Sequence, residues 1–543
     1  MDLAGLRPPR RAFAIAIPTI AFLVLGWAWA FASPVGSSAD EAFHLTSTWC
    51  AWGDSDTCTH TGTVSVVKAP DRVANASCMA QLGNEDASCV YGLTEEMVQS
   101  VTVNVGNYPP VYYGVMRVFV GPDISKSVLL MRFFNVAIAA GLLALALAVA
   151  RPVARRAVAL AWMACLVPTG IFFVASVNPS SWAITGGALF WVFLLTFLTQ
   201  PSFRSRRAIA AAIGAVLCAF IALSARGDSA FVLGLSVAAV VLMAWPHLRG
   251  RITLLWLGLL AIPLVAIAAV FNVGRYASLN LAFPPGNPGM DQPNAVVKML
   301  VELPTFLAGI LGGQEAIWAQ RVSSNDSQIP GFSWSGYSYG VGSLDVHNPE
   351  LSSLLVLACV AGVVFLGFRS HGARKVIALG LLTAALVGQL VFMRGLVAFQ
   401  PIQSLQPRYY FALVVVIVSI AAMTYPRRPS VVNRGQALLL VGVLAVAGTA
   451  ALMATVARYT YGQAHSWTGM ADTPSWWWAW GPSPLVTIVI GSLGGLVWLL
   501  GMAWIALDAG GSDLRRGSLL RVNGSERDRS EHADDSERLQ RDN

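Results

Sequence analysis

Apolar runs of about 20 residues recur from one end of the chain to the other, with short polar segments between them. A helix of that length crosses the hydrocarbon core of a bilayer, so each run predicts a membrane-spanning helix. The pattern predicts an all-α polytopic membrane protein with about 12 transmembrane helices. The predicted spans lie near residues 13–32, 128–150, 157–175, 182–199, 208–225, 229–246, 252–271, 351–368, 376–393, 409–424, 436–457 and 485–506.

Composition and charge support this interpretation. Only 12% of the residues are charged, whereas a soluble protein carries about 25%. The formal charge of +8 does not indicate a nucleic-acid partner, because the basic residues lie in short loops between the predicted spans. With about 12 spans these loops all fall on one side, which the positive-inside rule identifies as the cytoplasm. Both termini are therefore predicted to be cytoplasmic.

This topology divides the chain into one transmembrane domain, residues 1–507, and a cytoplasmic tail, residues 508–543. The tail mixes Arg, Asp, Glu and Ser with almost no aromatic residues, which predicts disorder. Three long loops fall outside the cytoplasm, at residues 33–127, 272–350 and 458–484.

The first outer loop contains Cys50, Cys58, Cys78 and Cys89, an even set on the oxidising side of the membrane. This set predicts two disulfides, whose pairing the spacing does not decide. The remaining cysteines lie within predicted spans, where a thiol packs as a small apolar side chain.

The segment that directly follows the first span, "SSADEAFHL", holds Asp40, Glu41 and His44. In a helix, Asp40 and His44 share one face while Glu41 points about 100° away. In one interpretation a serine caps a short interfacial helix and the acids only occupy its first turn. In the other the acids are functional, because charges at a membrane boundary are costly unless they are paired or used.

Further polar clusters are predicted on the same outer face. They are "NYPPVYY" (107–113), "SVNPSSW" (176–182) with Asn178, "ARGDSA" (225–230) with Arg226 and Asp228, "YGVGSLDVHNPE" (339–350) with Asp345 and His347, and "SLQPRYYF" (404–411) with Arg408 and Tyr409. Structural interpretations exist for these residues too. Arg408 could anchor its span at the headgroups. Arg226 and Asp228 could form a structural ion pair, and His347 could be an ordinary loop histidine.

The segment "PSWWWAW" (474–480) lies just before the last span. Tryptophans at this position normally form the interfacial aromatic belt, which is the favoured interpretation. Stacking of these rings against sugars is the alternative.

The motifs "ADEAFH", "NYPPVYY", "SVNPS", "GVGSLD" and "QPRYY", taken in this order, resemble those of the bacterial membrane family catalogued as domain of unknown function 2142. The resemblance runs from about residue 20 to about residue 430. That family is similar to the GT-C glycosyltransferases, multi-span enzymes that take a sugar from a polyprenyl phosphate on the outer face. The acid pair followed by a histidine is also similar to the protein O-mannosyltransferase pattern, in which the aspartate is the proposed base.

Two positions depart from the family pattern. Ser343 stands where the family usually has a tryptophan, and Ser180 stands where it commonly has an acidic residue. Both departures bear on the sugar pocket that the resemblance implies, and neither affects the acid pair.

The resemblance implies a GT-C-like glycosyltransferase of the bacterial plasma membrane with its site on the extracytoplasmic face. Its donor would be a polyprenyl-phosphate-linked sugar, and its acceptor a cell-envelope glycan, lipid or protein. Transfer to a hydroxyl needs a base, which is predicted to be Asp40, with Glu41 as an orienting partner or metal ligand. The leaving phosphate needs positive charge, either from arginine or from a divalent cation (Mg²⁺, Mn²⁺ or Ca²⁺) that Asp40 and Glu41 would bind.

The predicted substrate-binding residues are His44, Arg408, Arg226, Asp228, Asn178, Tyr409, Asp345 and His347. Arg132 and Arg394 are weaker candidates for the phosphate. Inversion is predicted, because a retaining double displacement needs a second carboxylate as nucleophile. The alternatives are a transporter or flippase of lipid-linked sugars and a non-catalytic envelope assembly protein. Spans nearly free of charge disfavour transport.

Overall fold

The computed structural model describes residues 8–80, 82, 85–248, 309–311, 341–342, 346, 348–395, 407–424, 430–462 and 476–507. These residues are mostly helical. The helices are α1 Pro8–Phe31, α2 Glu41–Trp49, α3 Asp71–Ala74, α4 Pro110–Met116, α5 Ile124–Val149, α6 Pro152–Cys165, α7 Ile171–Val174, α8 Ser180–Leu198, α9 Arg206–Ala225, α10 Ser229–Leu248, α11 Glu350–Phe368, α12 Ala373–Gly395, α13 Phe411–Ala421, α14 Arg434–Tyr461 and α15 Pro484–Leu507.

Within the described residues, 9 helical segments are long and apolar enough to cross a membrane. They are α1 from Ala12, α5, α6 together with α7, α8, α9, α10, α11 from Leu351, α14 and α15. Each coincides with a predicted span, which confirms a polytopic membrane protein.

The other three predicted spans have different outcomes. Helix α12 covers the one near 376–393, and the shorter apolar helix Arg408–Ala421 covers the one near 409–424. The span near 252–271 lies outside the described residues, so the total of about 12 stays a prediction. The predicted tail, 508–543, also lies outside them.

The span predicted near 157–175 is not one continuous helix. Helix α6 ends at Cys165, a wide turn follows, and α7 begins at Ile171. Val167 in the turn is extended, with φ −101° and ψ 138°, because the next residue is Pro168, which restricts the residue before it to extended backbone. The interruption is entirely buried, so the irregular backbone faces protein rather than lipid.

The basic loops that follow α5 and α8 lie at the same end of the helix bundle. Arg151 donates a hydrogen bond to the carbonyl of Thr199, and Arg207 donates to the carbonyls of Val149 and Ala150 at 2.5 and 2.6 Å. These guanidinium groups bind carbonyls at helix C-termini, where positive charge is favoured. The prediction that "RPVARR" and "SFRSRR" share one side agrees with this arrangement.

The first loop contains a small sheet that the all-α prediction lacked. Its strands are β1 Thr59–Thr61, β2 Thr63–Pro70 and β3 Met97–Ser100, antiparallel in the order β1-β2-β3. Threonine and valine dominate β1 and β2, and their branched side chains favour extended backbone. The two predicted disulfides are confirmed, and their pairing is Cys50–Cys58 and Cys78–Cys89.

The C-terminal end of α14 holds this loop against the bundle. Arg458 donates to the carbonyls of Glu85 at 2.6 Å, Met79 at 3.1 Å and Leu82 at 3.2 Å. The carbonyl of Tyr459 accepts from the amide of Ala87 at 2.8 Å. The loop closed by the second disulfide is therefore fixed to a membrane-spanning helix.

The tryptophan segment packs partly inside the protein. Trp478 is buried and its indole N–H donates to the carbonyl of Phe31 at 2.8 Å. Trp477 packs edge-on against Tyr459, with ring centroids 6.1 Å apart. The belt interpretation fits the exposed Trp480 and is wrong for Trp478.

Candidate functional site

Asp40 begins helix α2 in an unusual backbone conformation. It is the one non-glycine residue of the described chain with a positive φ, at 61° with ψ 16°. Aspartate tolerates this left-handed region better than most residues. The carbonyl of Asp40 accepts from the amide of His44 at 3.0 Å, so helix α2 starts directly after it. The short helix after the first span is therefore present, but the serine cap of that interpretation is wrong: the N-cap residue is Asp40, and it makes no side-chain capping hydrogen bond.

Glu41 points into the protein, away from the exposed side of Asp40. Its carboxylate accepts from Arg132 at 3.0 and 3.1 Å, from the amide of Ser38 at 3.0 Å and from the amide of Val177 at 3.2 Å. The side chains of Glu41 and Arg132 are 0% and 1% exposed. Glu41 is thus an anchor for the turn that carries Asp40.

The side chain of Arg132 also binds backbone carbonyls that lead into the same turn. It donates to the carbonyls of Ala30 and Ser33 at 2.8 Å each and to the carbonyl of Pro34 at 2.8 Å. These carbonyls lie in the last turn of α1 and just after it, where helical partners are lacking. Arg132, a weak phosphate candidate by sequence, therefore fixes the path from α1 to Asp40.

Arg408 contacts the side chain of Asp40 directly. It lies in a 3₁₀ turn, Pro407–Tyr410, just before α13, and its Nη2 donates to Oδ2 of Asp40 at 2.8 Å. The Arg408 side chain is 2% exposed and that of Asp40 is 57% exposed. Desolvation raises the pKa of Asp40, but the charge of Arg408 and its hydrogen bond outweigh this and hold the pKa below the ordinary value.

A second arginine lies beside the first. Arg226, between α9 and α10, donates from Nε and Nη2 to the two carboxylate oxygens of Asp228 at 2.9 and 2.5 Å. Its guanidinium carbon lies 3.9 Å from the ring centroid of Tyr409, and that of Arg408 lies 5.2 Å from the same centroid. A small cavity is lined by Ser180, Arg226, Asp228, Arg408 and Tyr409, among others. Both arginines thus reach one cavity.

His44 is buried behind Asp40. A 2.9 Å hydrogen bond joins its Nδ1 to the hydroxyl of Tyr113, and the ring of Tyr108 packs edge-on at 5.2 Å. Burial lowers the pKa of His44 to about 3, and the carboxylate of Asp40 offsets only part of this effect. The imidazole is therefore neutral at neutral pH.

Asn178 connects the turn before α8 to the residue before Asp40. Its amide nitrogen donates to the carbonyl of Ala39 at 2.9 Å, and its side-chain oxygen accepts from the amide of Ser180 at 2.9 Å. The segment "SVNPSS" therefore supports Asp40 from behind, together with the bond from Val177 to Glu41.

Comparison with known proteins gives one match. The family described as "Predicted membrane protein (DUF2142)" matches residues 23–417. The chain belongs to this family. No curated protein and no solved structure matches the chain.

In this DUF2142 protein, the matched region brings together most of the residues predicted for the site. We call the group formed by Asp40, His44, Arg226, Asp228, Arg408 and Tyr409 the acid–arginine cluster. Glu41 and Asn178 lie behind it as supports. Asp345 and His347 lie outside the described residues.

The predicted cation site at Asp40 and Glu41 does not fit this arrangement. Both carboxylate oxygens of Glu41 accept hydrogen bonds from protein donors, and Arg408 occupies one oxygen of Asp40. Hard cations such as Mg²⁺ need free oxygen ligands. The arginines are the positive groups that this DUF2142 protein places beside Asp40.

Sequence reasoning missed the structural role of two arginines. Arg132 binds backbone carbonyls at the C-terminal end of α1, and Arg458 binds carbonyls of the first loop. The available signal was position: each is a charge inside or at the end of an apolar run, and such charges are expected to have partners.

Proposed function

We propose that this protein is a GT-C-like membrane glycosyltransferase. It transfers a sugar from a polyprenyl-phosphate donor to an extracytoplasmic cell-envelope glycan, lipid or protein, with inversion at the anomeric carbon. The observation that carries the proposal is the pair of Asp40 and Arg408. An exposed carboxylate with a lowered pKa is held by a buried arginine.

Asp40 acts as the base in this mechanism. The acceptor hydroxyl gives its proton to the Asp40 carboxylate, and its oxygen attacks the anomeric carbon from the face opposite the phosphate. The bond between the anomeric carbon and the phosphate oxygen breaks, and the phosphate leaves with the electron pair. A carboxylate whose pKa is lowered is fully ionised at neutral pH, as a base must be.

Arg408 and Arg226 stabilise the leaving phosphate. Both guanidinium groups are buried beside the same cavity, and Tyr409 packs against both. Arginine binds phosphate oxygens through parallel N–H donors, and its charge is more effective in a site that excludes water. His44, neutral and tied to Tyr113, offers a hydrogen-bonding group next to Asp40.

The carboxylates of the described cluster support inversion. A retaining mechanism needs a second carboxylate as nucleophile, about 5 Å from the first. In the described cluster the other carboxylate is Asp228, and Arg226 binds both of its oxygens. Asp40 is left as the exposed carboxylate that can accept a proton.

Replacement of Asp40 by Asn tests the proposal. We expect Asp40→Asn to reduce sugar transfer by about 100-fold or more, because the amide cannot accept the proton. The measurement is the glycan composition of envelopes from a deletion strain that carries each variant. Asp56→Asn, an exposed carboxylate in the same loop, is the matched control and should keep wild-type transfer. Full complementation by Asp40→Asn contradicts the proposal.

One observation favours the second candidate, a transporter or flippase of lipid-linked sugars. The break between α6 and α7 is a discontinuous helix within a span, a feature that transporters use at their substrate sites. However, the cavity lined by Val167 at this break has an otherwise mostly apolar lining and contains no charged side chain. If the protein is a transporter, Asp40→Asn should still move a labelled lipid-linked sugar across the membrane. If it is a glycosyltransferase, Asp40→Asn should lose sugar transfer to the acceptor.

A further inference from the structure

A third pocket lies where the first loop meets the start of α5 and the tryptophan segment. Its lining includes Arg72, Tyr91, Ser125, Trp477 and Trp478. It shares no lining residue with the cavity between Arg226 and Arg408. The lining combines broad aromatic surface with several polar groups.

The pocket is held in shape before any ligand binds. The Cys78–Cys89 disulfide joins its two sides, because Ala76 lies two residues before the bridge and Tyr91 two residues after it. Arg458 binds the carbonyls of the intervening loop, as described above. Ligand binding to a preformed pocket carries little entropic cost for ordering the pocket.

The polar groups of the pocket are donors held in fixed positions. Nε of Arg72 donates to the carbonyl of Leu93 at 3.0 Å, and Nη1 lies 3.6 Å from Glu95, so the guanidinium plane is oriented. The indole N–H of Trp477 is buried and has no hydrogen-bond partner among the described residues. A buried donor of this kind is costly unless a ligand or a water accepts its hydrogen bond.

The aromatic surface is accessible at the rim. Tyr91 is 55% exposed, although it lines the pocket. The ring of Trp480 is also exposed and lies 6.4 Å from that of Phe31, which also contacts Trp478 at 5.9 Å. The aromatic rings therefore extend from the pocket to its surroundings.

We propose that this pocket binds a carbohydrate chain, and that this chain is the acceptor glycan. Sugar rings present C–H faces that pack on aromatic planes, and hydroxyl edges that accept hydrogen bonds from guanidinium and indole N–H groups. A purely apolar ligand would leave the buried indole N–H of Trp477 without an acceptor. An anion would meet the carboxylate of Glu95 beside Arg72.

The pocket is connected to the acid–arginine cluster through Tyr459. Trp477 packs edge-on against Tyr459, and the hydroxyl of Tyr459 donates to the carbonyl of Ser37 at 3.0 Å, three residues before Asp40. The role as acceptor site rests on the proposed function, whereas carbohydrate binding itself does not.

The experiment measures glycan binding by the full chain in lipid nanodiscs, which avoid sugar-headed detergents. Labelled nanodiscs are applied to an array of neutral oligosaccharides, and the Kd for the strongest ligand is then measured by tryptophan fluorescence. We expect Tyr91→Ala and Trp477→Phe each to weaken binding by about 2- to 10-fold. Trp477→Phe keeps a ring and removes the N–H. Trp52→Ala, an exposed aromatic of the same loop outside the pocket, is the matched control.

The outcomes separate the inference from the proposed function. Carbohydrate binding in this pocket is supported if the wild type and Asp40→Asn both bind glycan. Binding must also be weaker in Tyr91→Ala and Trp477→Phe and unchanged in Trp52→Ala. Absence of any bound glycan on the array, or equal binding by the pocket variants, overturns it. Size-exclusion profiles of each variant show that the protein is folded. If the pocket variants lose binding while Asp40→Asn retains sugar transfer, the pocket stands and the catalytic proposal fails.

Discussion

Asp40 occupies a backbone conformation that needs support from its neighbours. A left-handed residue other than glycine costs about 1 kcal/mol or more relative to right-handed backbone. Glu41, Arg132 and Asn178 supply the support, since each binds backbone in the segment that leads into Asp40. Such over-determined backbone is typical of functional positions. The buried pair of Glu41 and Arg132 therefore fixes the backbone that carries the exposed carboxylate of Asp40.

His44 gives a prediction for the dependence of stability on pH. Burial lowers its pKa from 6.5 to about 3 in the folded protein. Between these values the unfolded chain binds a proton that the folded protein does not, so acidification favours unfolding. We expect the stability from this group to be complete above pH 6.5 and to fall by on the order of 1 kcal/mol per pH unit toward pH 3.

The measurement is the thermal-unfolding midpoint of the purified protein from pH 4 to pH 8. His44→Gln cannot titrate, so its midpoint should fall less steeply than that of the wild type as the pH drops below 6.5. Equal slopes for the two proteins would show that His44 titrates as it does in the unfolded chain.

The sequence predicted Asp40 as the base and Glu41 as an orienting partner or metal ligand, but it did not predict which residue binds Glu41. The left-handed backbone at Asp40 directs the two side chains apart, and the partner of Glu41 is Arg132, 91 residues away. A contact of that separation depends on helix packing, which a local pattern does not contain.

At the scale of elements, the length of the apolar runs predicted most of the helices. It did not reveal the break between α6 and α7. The run from 157 to 175 is apolar throughout, and Pro168 is the one local sign that α6 stops. The sheet in the first loop was missed for a different reason. Its strands are only three to eight residues long. The prediction for this loop rested mainly on its cysteines, which indicate disulfides but not strands.

Close packing of α8 on α9 gives a second prediction. A Cβ at Gly186 would lie 2.3 Å from the carbonyl oxygen of Cys218, whereas a Cβ at Gly362 in α11 would meet nothing within 4 Å. We expect Gly186→Ala to destabilise the protein by about 1–3 kcal/mol through overpacking. Gly362→Ala should be neutral or stabilising, since alanine favours a helix over glycine by about 1 kcal/mol.

Thermal unfolding of both variants in the same detergent checks this pair. A lower midpoint for Gly186→Ala alone is the expected result. Similar midpoints for the two variants would mean that α8 and α9 lie farther apart than the close approach of Gly186 to the Cys218 carbonyl implies.

At the scale of the whole molecule, the two ends of the helix bundle carry different polar residues. One end has arginines on helix C-termini, as at Arg151 and Arg207. The other end has the acid–arginine cluster and the first loop with its disulfides. The sequence predicted this separation from loop charge. It did not predict which polar segments touch, because residues 40 and 408 meet only after the intervening helices have packed.

The sidedness of these two ends gives the last prediction. The positive-inside rule assigns the arginine end to the cytoplasm and the first loop to the exterior. Four native cysteines form disulfides and the other three are buried, so the wild type has no accessible thiol for a maleimide. Val105→Cys in the first loop and Ser202→Cys at the arginine end each introduce one exposed thiol.

A membrane-impermeant maleimide is added to intact spheroplasts and then to permeabilised ones. We expect labelling of Val105→Cys in both and of Ser202→Cys only after permeabilisation, because the reagent cannot cross the bilayer. The reverse pattern would place Asp40 in the cytoplasm. A lipid-phosphate donor on the outer leaflet would then be out of reach, and a nucleotide-activated sugar would become the donor to test.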